Sequence, residues 1–165
     1  MSGSTASFHR TRTLRSAAQT TALARRMAAG LRAGDVLLLE GPIGAGKTHF
    51  ARALIQARLA DVDALEDVPS PTYTLVQVYQ AGPLAIWHAD LYRLGHPDEV
   101  QELGLVEAFE SALCLVEWPD RLGDLTPPGA LRIRFAPGGG EESRDVTMTS
   151  DDPHWAARLA EVADA

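Results

Sequence analysis

The densest chemistry in the sequence lies in Gly41-Pro-Ile-Gly-Ala-Gly-Lys-Thr48, which fits the G-x-x-x-x-G-K-[ST] pattern of a phosphate-binding loop. In such a loop Gly41, Gly44 and Gly46, with the small Ala45, let successive backbone N–H groups curl around phosphate oxygens. The start of the following helix adds a favourable dipole. Lys47 would reach the β- and γ-phosphates, and the Thr48 hydroxyl would ligate Mg²⁺. Lys47 is also the single lysine among the 15 Lys and Arg residues. A lone compact ammonium in a chain otherwise committed to arginine marks a site that a planar guanidinium fork does not fit. A glycine turn that merely caps a helix would not explain it. Guanine-specific loops of this kind generally carry an N-K-x-D element. With no asparagine and no second lysine in the chain, the expected nucleotide is ATP.

A phosphate loop needs an acid to help hold magnesium, usually at the end of a neighbouring apolar strand. Glu117 follows Ala-Leu-Cys-Leu-Val and fits that place, against the plainer reading of an exposed strand-end carboxylate. Asp90 ends a second strand and is the candidate to position the attacking water or take its proton. Its bland alternative is a cap on the following turn. Ser70, Thr72 and Thr74 lie in a stretch long enough to serve as a switch over the γ-phosphate, or else do ordinary turn chemistry after Pro71. His88 and Asp90 are two apart and share a strand face, with no third metal ligand apparent. Cys114 reads as a buried core thiol, and His9, His49, His96 and His154 as surface residues. No G-x-S-x-G hydrolase signature is present.

These residues need elements to hold them. Thr11 to Leu14 reads as extended. Ser16-Ala-Ala-Gln19 has capping-box form, and Thr20, Leu23, Ala24, Met27 and Leu31 then share one helical face. Val36 to Leu39 is a continuous apolar run, as in a parallel strand buried on both faces. After the loop, Phe50, Ala53, Leu54 and Ala57 line a second helix, with Arg52 and Gln56 outward. Leu75 to Tyr79 and Leu84 to His88 read as a hairpin through Ala81-Gly-Pro83. Pro97 to Phe109 is helical in pattern and broken at Gly104. Ala112 to Val116 is the second fully apolar run. Leu131, Ile133 and Phe135, then Val146 and Met148, alternate across Pro137-Gly-Gly-Gly140 as a terminal hairpin. Asp152-Pro153 caps a last helix carrying Trp155, Leu159 and Val162. Buried parallel strands mixed with hairpins predict an α/β fold, the three-layer P-loop NTPase architecture with a mixed, partly parallel central sheet.

At 165 residues the chain reads as one domain spanning 1–165, with residues 1–9 flexible. Hydrophobic residues at 45% and charged residues at 22% exclude wholesale disorder. One cysteine excludes an internal disulfide and a multi-cysteine metal cage. A net charge of −7 argues against direct nucleic-acid binding. The acid-free, arginine-rich start has the composition of a transit peptide, but its capping box and helical stripe read better as structure. No apolar run approaches a membrane span, so the expectation is a cytoplasmic protein with no membrane contact.

Taken together, the phosphate loop, Ser70-Pro-Thr-Tyr-Thr-Leu-Val76, His88-Ala-Asp-Leu-Tyr-Arg-Leu94, Glu102-Leu-Gly-Leu105 and Cys114-Leu-Val-Glu-Trp-Pro119 resemble the TsaE (YjeE) family. Their order and spacing cover roughly residues 10 to 150. The resemblance implies a bacterial ATPase serving threonylcarbamoyladenosine formation in tRNA. Such proteins join a TsaD–TsaB pair that performs the carbamoyl transfer, meet tRNA only indirectly through that complex, and reset it by hydrolysing ATP. Carried onto this chain, Lys47 and Thr48 hold phosphate and Mg²⁺, Glu117 is the magnesium carboxylate, and Asp90 is the second essential acid. Thr72 and Thr74 fall in the switch-like stretch, Trp118 stands beside the nucleotide, and the helix start at Ser16 to Thr20 touches adenine. Two positions depart from the family pattern: Ala89 replaces a common Phe, and His49 a common Thr.

Hydrolysis in phosphate-loop proteins is slow until the nucleophile and the γ-phosphate charge are both organised, commonly by a partner. The sequence names no arginine finger, so weak activity alone and fuller activity in complex are expected. The competing readings are a small-molecule kinase, using Asp90-Leu-Tyr-Arg93 to bind an acceptor, and a nucleotide-sensing module that hardly hydrolyses.

Overall fold

The structure is a computed structural model, and it describes residues 8–160. Seven strands form one sheet in the order β1-β7-β6-β2-β5-β4-β3, where β1 is Phe8–Leu14, β2 Val36–Glu40, β3 Val76–Ala81, β4 Leu84–Asp90, β5 Leu113–Glu117, β6 Leu131–Pro137 and β7 Arg144–Ser150. The central strands β6, β2, β5 and β4 run parallel, while β3 and the β7–β1 pair are antiparallel to their neighbours. This is the mixed, partly parallel sheet read from the sequence.

The apolar runs become the strands buried on both faces. Leu37, Leu39, Leu113, Leu115 and Ile86 pack on one side, with α1 (Ala17–Ala29) and α2 (Lys47–Ala60). Val36, Leu38, Ala89, Cys114 and Val116 pack on the other, with α3 (Asp98–Glu102), α4 (Leu105–Ser111) and a 3-10 helix over Pro119–Leu125. Two cores flanking one sheet make the three layers.

Helix α1 starts where the capping box predicts: Ser16 Oγ accepts from the Gln19 N–H at 3.2 Å. The Gln19 side-chain Oε1 reaches back and accepts from the Arg15 N–H at 2.7 Å, one residue earlier than the usual box. At its other end the Arg58 guanidinium of α2 donates to the Ala28 and Leu31 carbonyls, both at 2.7 Å. That contact puts a cation at the C-terminal end of α1, where the helix dipole favours one.

Several boundaries differ from the sequence reading. Phe8 and His9 already pair with Ser150 and Thr149 in β1. The flexible stretch expected over 1–9 therefore excludes them, and residues 1–7 lie outside the described residues. The buried face of α2 is Phe50, Ala51, Leu54, Ile55 and Leu59, with Ala53 and Ala57 only half-buried. α2 meets both the sheet and α1, so its buried arc is wider than one stripe. The last helix, α5 (His154–Arg158), buries Trp155 and is tied to the entry of β2 by a bond from Arg158 to Asp35 at 2.7 Å. Val162, expected on that helix, lies outside the described residues.

Cys114 is fully buried in β5. Burial pushes its thiol up to about 12 from a usual 9.0, so the reactive thiolate is suppressed near neutrality. Because the folded value is the higher one, the stability this thiol contributes is complete below pH 9 and is lost as pH climbs toward 12. Native protein is expected to resist iodoacetamide at pH 8 and to take up one label per chain in urea. Labelling of native protein at the unfolded rate would contradict the burial.

Candidate active site

The phosphate loop joins β2 to α2 at the edge where the parallel strands end, which is where open α/β sheets bind ligands. Its glycines have local causes. At Gly41 φ is +142°, and a Cβ would lie 2.5 Å from the Phe135 carbonyl oxygen of β6, so no larger residue fits. Gly46, at φ +108°, is the left-handed residue that turns the chain into α2. Arg144 of β7 fastens the loop from outside, donating from Nε to the Ala45 carbonyl at 3.0 Å and from Nη2 to the Gly44 carbonyl at 3.2 Å.

Lys47 and Thr48 open α2. The Lys47 ammonium donates to the Gly41 carbonyl and lies 3.5 Å from the centroid of the Trp118 ring, a cation–π contact. Burial lowers its pKa, and the nearby Glu117, Asp90 and Asp120 carboxylates pull it partly back. Trp118 takes left-handed backbone angles (φ 58°, ψ 53°) directly after β5. That conformation costs a non-glycine residue about 1–2 kcal/mol, and such strain collects at functional sites. Its ring packs against Tyr92 at 4.8 Å between centroids.

The two acids are set by strand register. Asp90 of β4 pairs with Glu117 of β5, so both carboxylates project at one level of one sheet face. That face carries Ile86, Leu113 and Leu115 lower down, with His88 just below the two acids. Glu117 is 2% exposed, which rules out the strand-end surface carboxylate. Its oxygens accept from Thr48 Oγ1 at 2.8 and 3.0 Å and from His88 Nε2 at 2.7 Å. Asp90 accepts from the Tyr92 N–H at 3.0 Å and, weakly, from Thr72 Oγ1 at 3.5 Å.

Together these residues line a cavity of about 450 Å³. Gly44, Gly46, Lys47, Thr48, Thr72, Asp90, Glu117 and Trp118 are brought to it as the sequence predicts, and Ile43, His49 and Tyr92 join them. Gly41 and Ala45 stand behind the wall: Gly41 supplies the carbonyl that holds Lys47, and Ala45 is buried. Thr74 is not brought to the cavity. It is exposed, and its hydroxyl accepts from Gln77 Nε2 at 3.0 Å. His49 sits within 2.9 Å of Thr21 Oγ1 and 3.2 Å of the Ala17 carbonyl, linking the start of α1 to the cavity wall.

Besides Ile43, His49 and Tyr92, two further residues contribute in ways the sequence reading does not assign. His88 is wholly buried against Glu117, and Arg144 reaches the loop from 99 positions away. Neither has a local signature, since both act through strand pairing.

The donor set at Thr48 and Glu117 is one hydroxyl and one carboxylate, both hard oxygen ligands. This suits Mg²⁺, which keeps several waters and takes few protein ligands alongside phosphate oxygens. Among the described residues no group of three or more His, Cys, Asp or Glu could cage a metal by itself.

Comparisons with known proteins bear on the family and the fold. A family model described as "Threonylcarbamoyl adenosine biosynthesis protein TsaE" matches residues 14–146. The chain belongs to the TsaE family. Its relatives named tRNA threonylcarbamoyladenosine biosynthesis protein TsaE include that of Bacillus subtilis, 38% identical over 133 residues and covering 80% of each chain. The Rickettsia conorii relative is 42% identical over 123 residues, 74% of this chain and 69% of its own. The Streptomyces coelicolor relative is 35% identical over 81% of this chain and 92% of its own. The crystal structure of Bacillus subtilis YdiB superposes with a TM-score of 0.77 at 28% identity, covering 95% of both chains. The TsaE-family match runs from the end of β1 into β7, so it includes every residue of the cavity.

Proposed function

We propose that this TsaE-family chain is a Mg²⁺-dependent ATPase that acts in tRNA threonylcarbamoyladenosine biosynthesis. It works in the cytoplasm with a TsaD–TsaB pair and touches tRNA only through that complex. The observation that carries the reading is the Thr48–Glu117 contact. A helix-start threonine and a buried strand-end carboxylate meet at 2.8 Å beside the lysine of a phosphate loop.

Each residue has a part to play. The loop N–H groups and Lys47 bind the phosphates, with Lys47 leaving the Gly41 carbonyl to do so. Thr48 and Glu117 hold the magnesium ion, which neutralises phosphate charge when bound. Asp90 orients the attacking water and accepts its proton, while Thr72 hydrogen-bonds the same carboxylate. Trp118 and Tyr92 form one wall of the cavity.

Among the described residues no arginine lines the cavity, and Lys47 is the one permanent cation there. Charge developing on the γ-phosphoryl group is commonly met by a second cation, often supplied by a partner. Slow turnover alone and faster turnover in complex follow from that shortage. Among the described residues no helix is long and apolar enough to cross a membrane.

Glu117→Gln tests the metal assignment. The substitution keeps the side chain's size and removes the charge that attracts the cation. ATP binding measured by calorimetry is expected to lose most of its Mg²⁺ dependence, and turnover to fall with it. A wild-type response to Mg²⁺ would make Glu117 a structural acceptor for Thr48 and His88.

A further inference from the structure

We propose that His88 is a positioning residue for the metal site, fixing the rotamer of Glu117 through its Nε2–H. The inference rests on the reading of Glu117 as a magnesium carboxylate.

His88 is fully buried on the face of β4 that carries Ile86, diagonal to Glu117 on β5. An aliphatic side chain would serve that apolar face better, because a buried imidazole is costly to desolvate unless its nitrogens are hydrogen-bonded. Only one of them is. Nε2 lies 2.7 Å from Glu117 Oε2, while Nδ1 has no partner among the described residues. The fold thus tolerates an orphaned ring nitrogen in order to place one donor against one carboxylate oxygen.

An ionised carboxylate only accepts, so the proton between them belongs to Nε2. With Oε2 engaged by β4, Oε1 is the oxygen left nearest Thr48, at 2.8 Å against 3.0 Å for Oε2. Two donors from different elements therefore hold one carboxylate. When the Thr48 hydroxyl turns to a cation, the His88 bond remains and keeps Glu117 aimed. Outer partners of metal ligands act in this way, and losing one typically costs about 10–100-fold in metal affinity.

The geometry distinguishes two conservative replacements. The amide of glutamine extends as far as Nε2, whereas that of asparagine stops at the level of Nδ1. The experiment compares wild type, His88→Gln and His88→Asn by equilibrium ATP binding with and without Mg²⁺. Without Mg²⁺ the three are expected to bind equally, which also certifies the fold of each variant. With Mg²⁺, the gain in affinity should fall about 10–100-fold in His88→Asn and return to within a few-fold of wild type in His88→Gln. Equal magnesium gains in all three would overturn the inference. So would equal losses in both variants, or a loss in the absence of Mg²⁺, because each marks His88 as a packing residue. A wild-type protein with no magnesium gain would instead overturn the reading of Glu117, and this inference with it.

Discussion

Lys47→Ala is expected to lower ATP affinity by about 100-fold or more while leaving the fold in place. Hydrogen bonds to charged groups are worth about 1.5–3 kcal/mol each, and in the proposed site this ammonium would reach two phosphates. About 1.4 kcal/mol corresponds to a factor of ten in binding. The chain has no second lysine, and among the described residues no arginine lines the cavity to take over. The structural cost is small. Lys47 touches the Gly41 carbonyl and the Trp118 ring, and its burial already depresses its pKa, so removing it relieves a desolvated charge. Calorimetric titration with ATP and Mg²⁺ reads the affinity. A melting temperature within about 4 °C of wild type reads the fold. Unchanged affinity would remove Lys47 from the site.

Asp90→Asn separates chemistry from binding. Asparagine keeps the shape and an oxygen that accepts from the Tyr92 N–H, so the turn after β4 survives. It loses the basicity needed to take a proton, a contribution typically worth about 10²–10⁴ in rate. Turnover should fall by that order in single-turnover phosphate release, with ATP affinity within a few-fold of wild type. Undiminished turnover would return Asp90 to the plainer part its Tyr92 contact suggests, a cap on the turn.

The architecture was largely legible because its signals are local. Val36-Leu-Leu-Leu39 and the run before Glu117 have no polar position, and only strands covered on both faces tolerate that. Ser16 and Gln19 announce α1, and the loop from Gly41 to Thr48 carries its own pattern. What stayed hidden depends on pairing between distant segments. Phe8 joins β1 because Ser150 lies opposite, not because its neighbours favour extension. His88 gains its part from a strand that begins 25 residues later, at Leu113. Arg144 lies in a hairpin that reads as purely structural until its guanidinium is seen on the Gly44 and Ala45 carbonyls. Thr72 and Thr74 look alike in sequence, and one turn decides that Thr72 lies at the cavity while Thr74 bonds Gln77.

The proposed protein is an ATPase whose charge complement is finished by its partners. The most direct test follows the γ-phosphate of labelled ATP with Mg²⁺, using the protein alone, the protein with a purified TsaD–TsaB pair, and Lys47→Ala with the same pair. Slow phosphate release alone, a sharp rise with the pair, and loss of that rise in Lys47→Ala is the predicted result. Release that ignores the pair, or label that leaves ATP for a small metabolite, would contradict it.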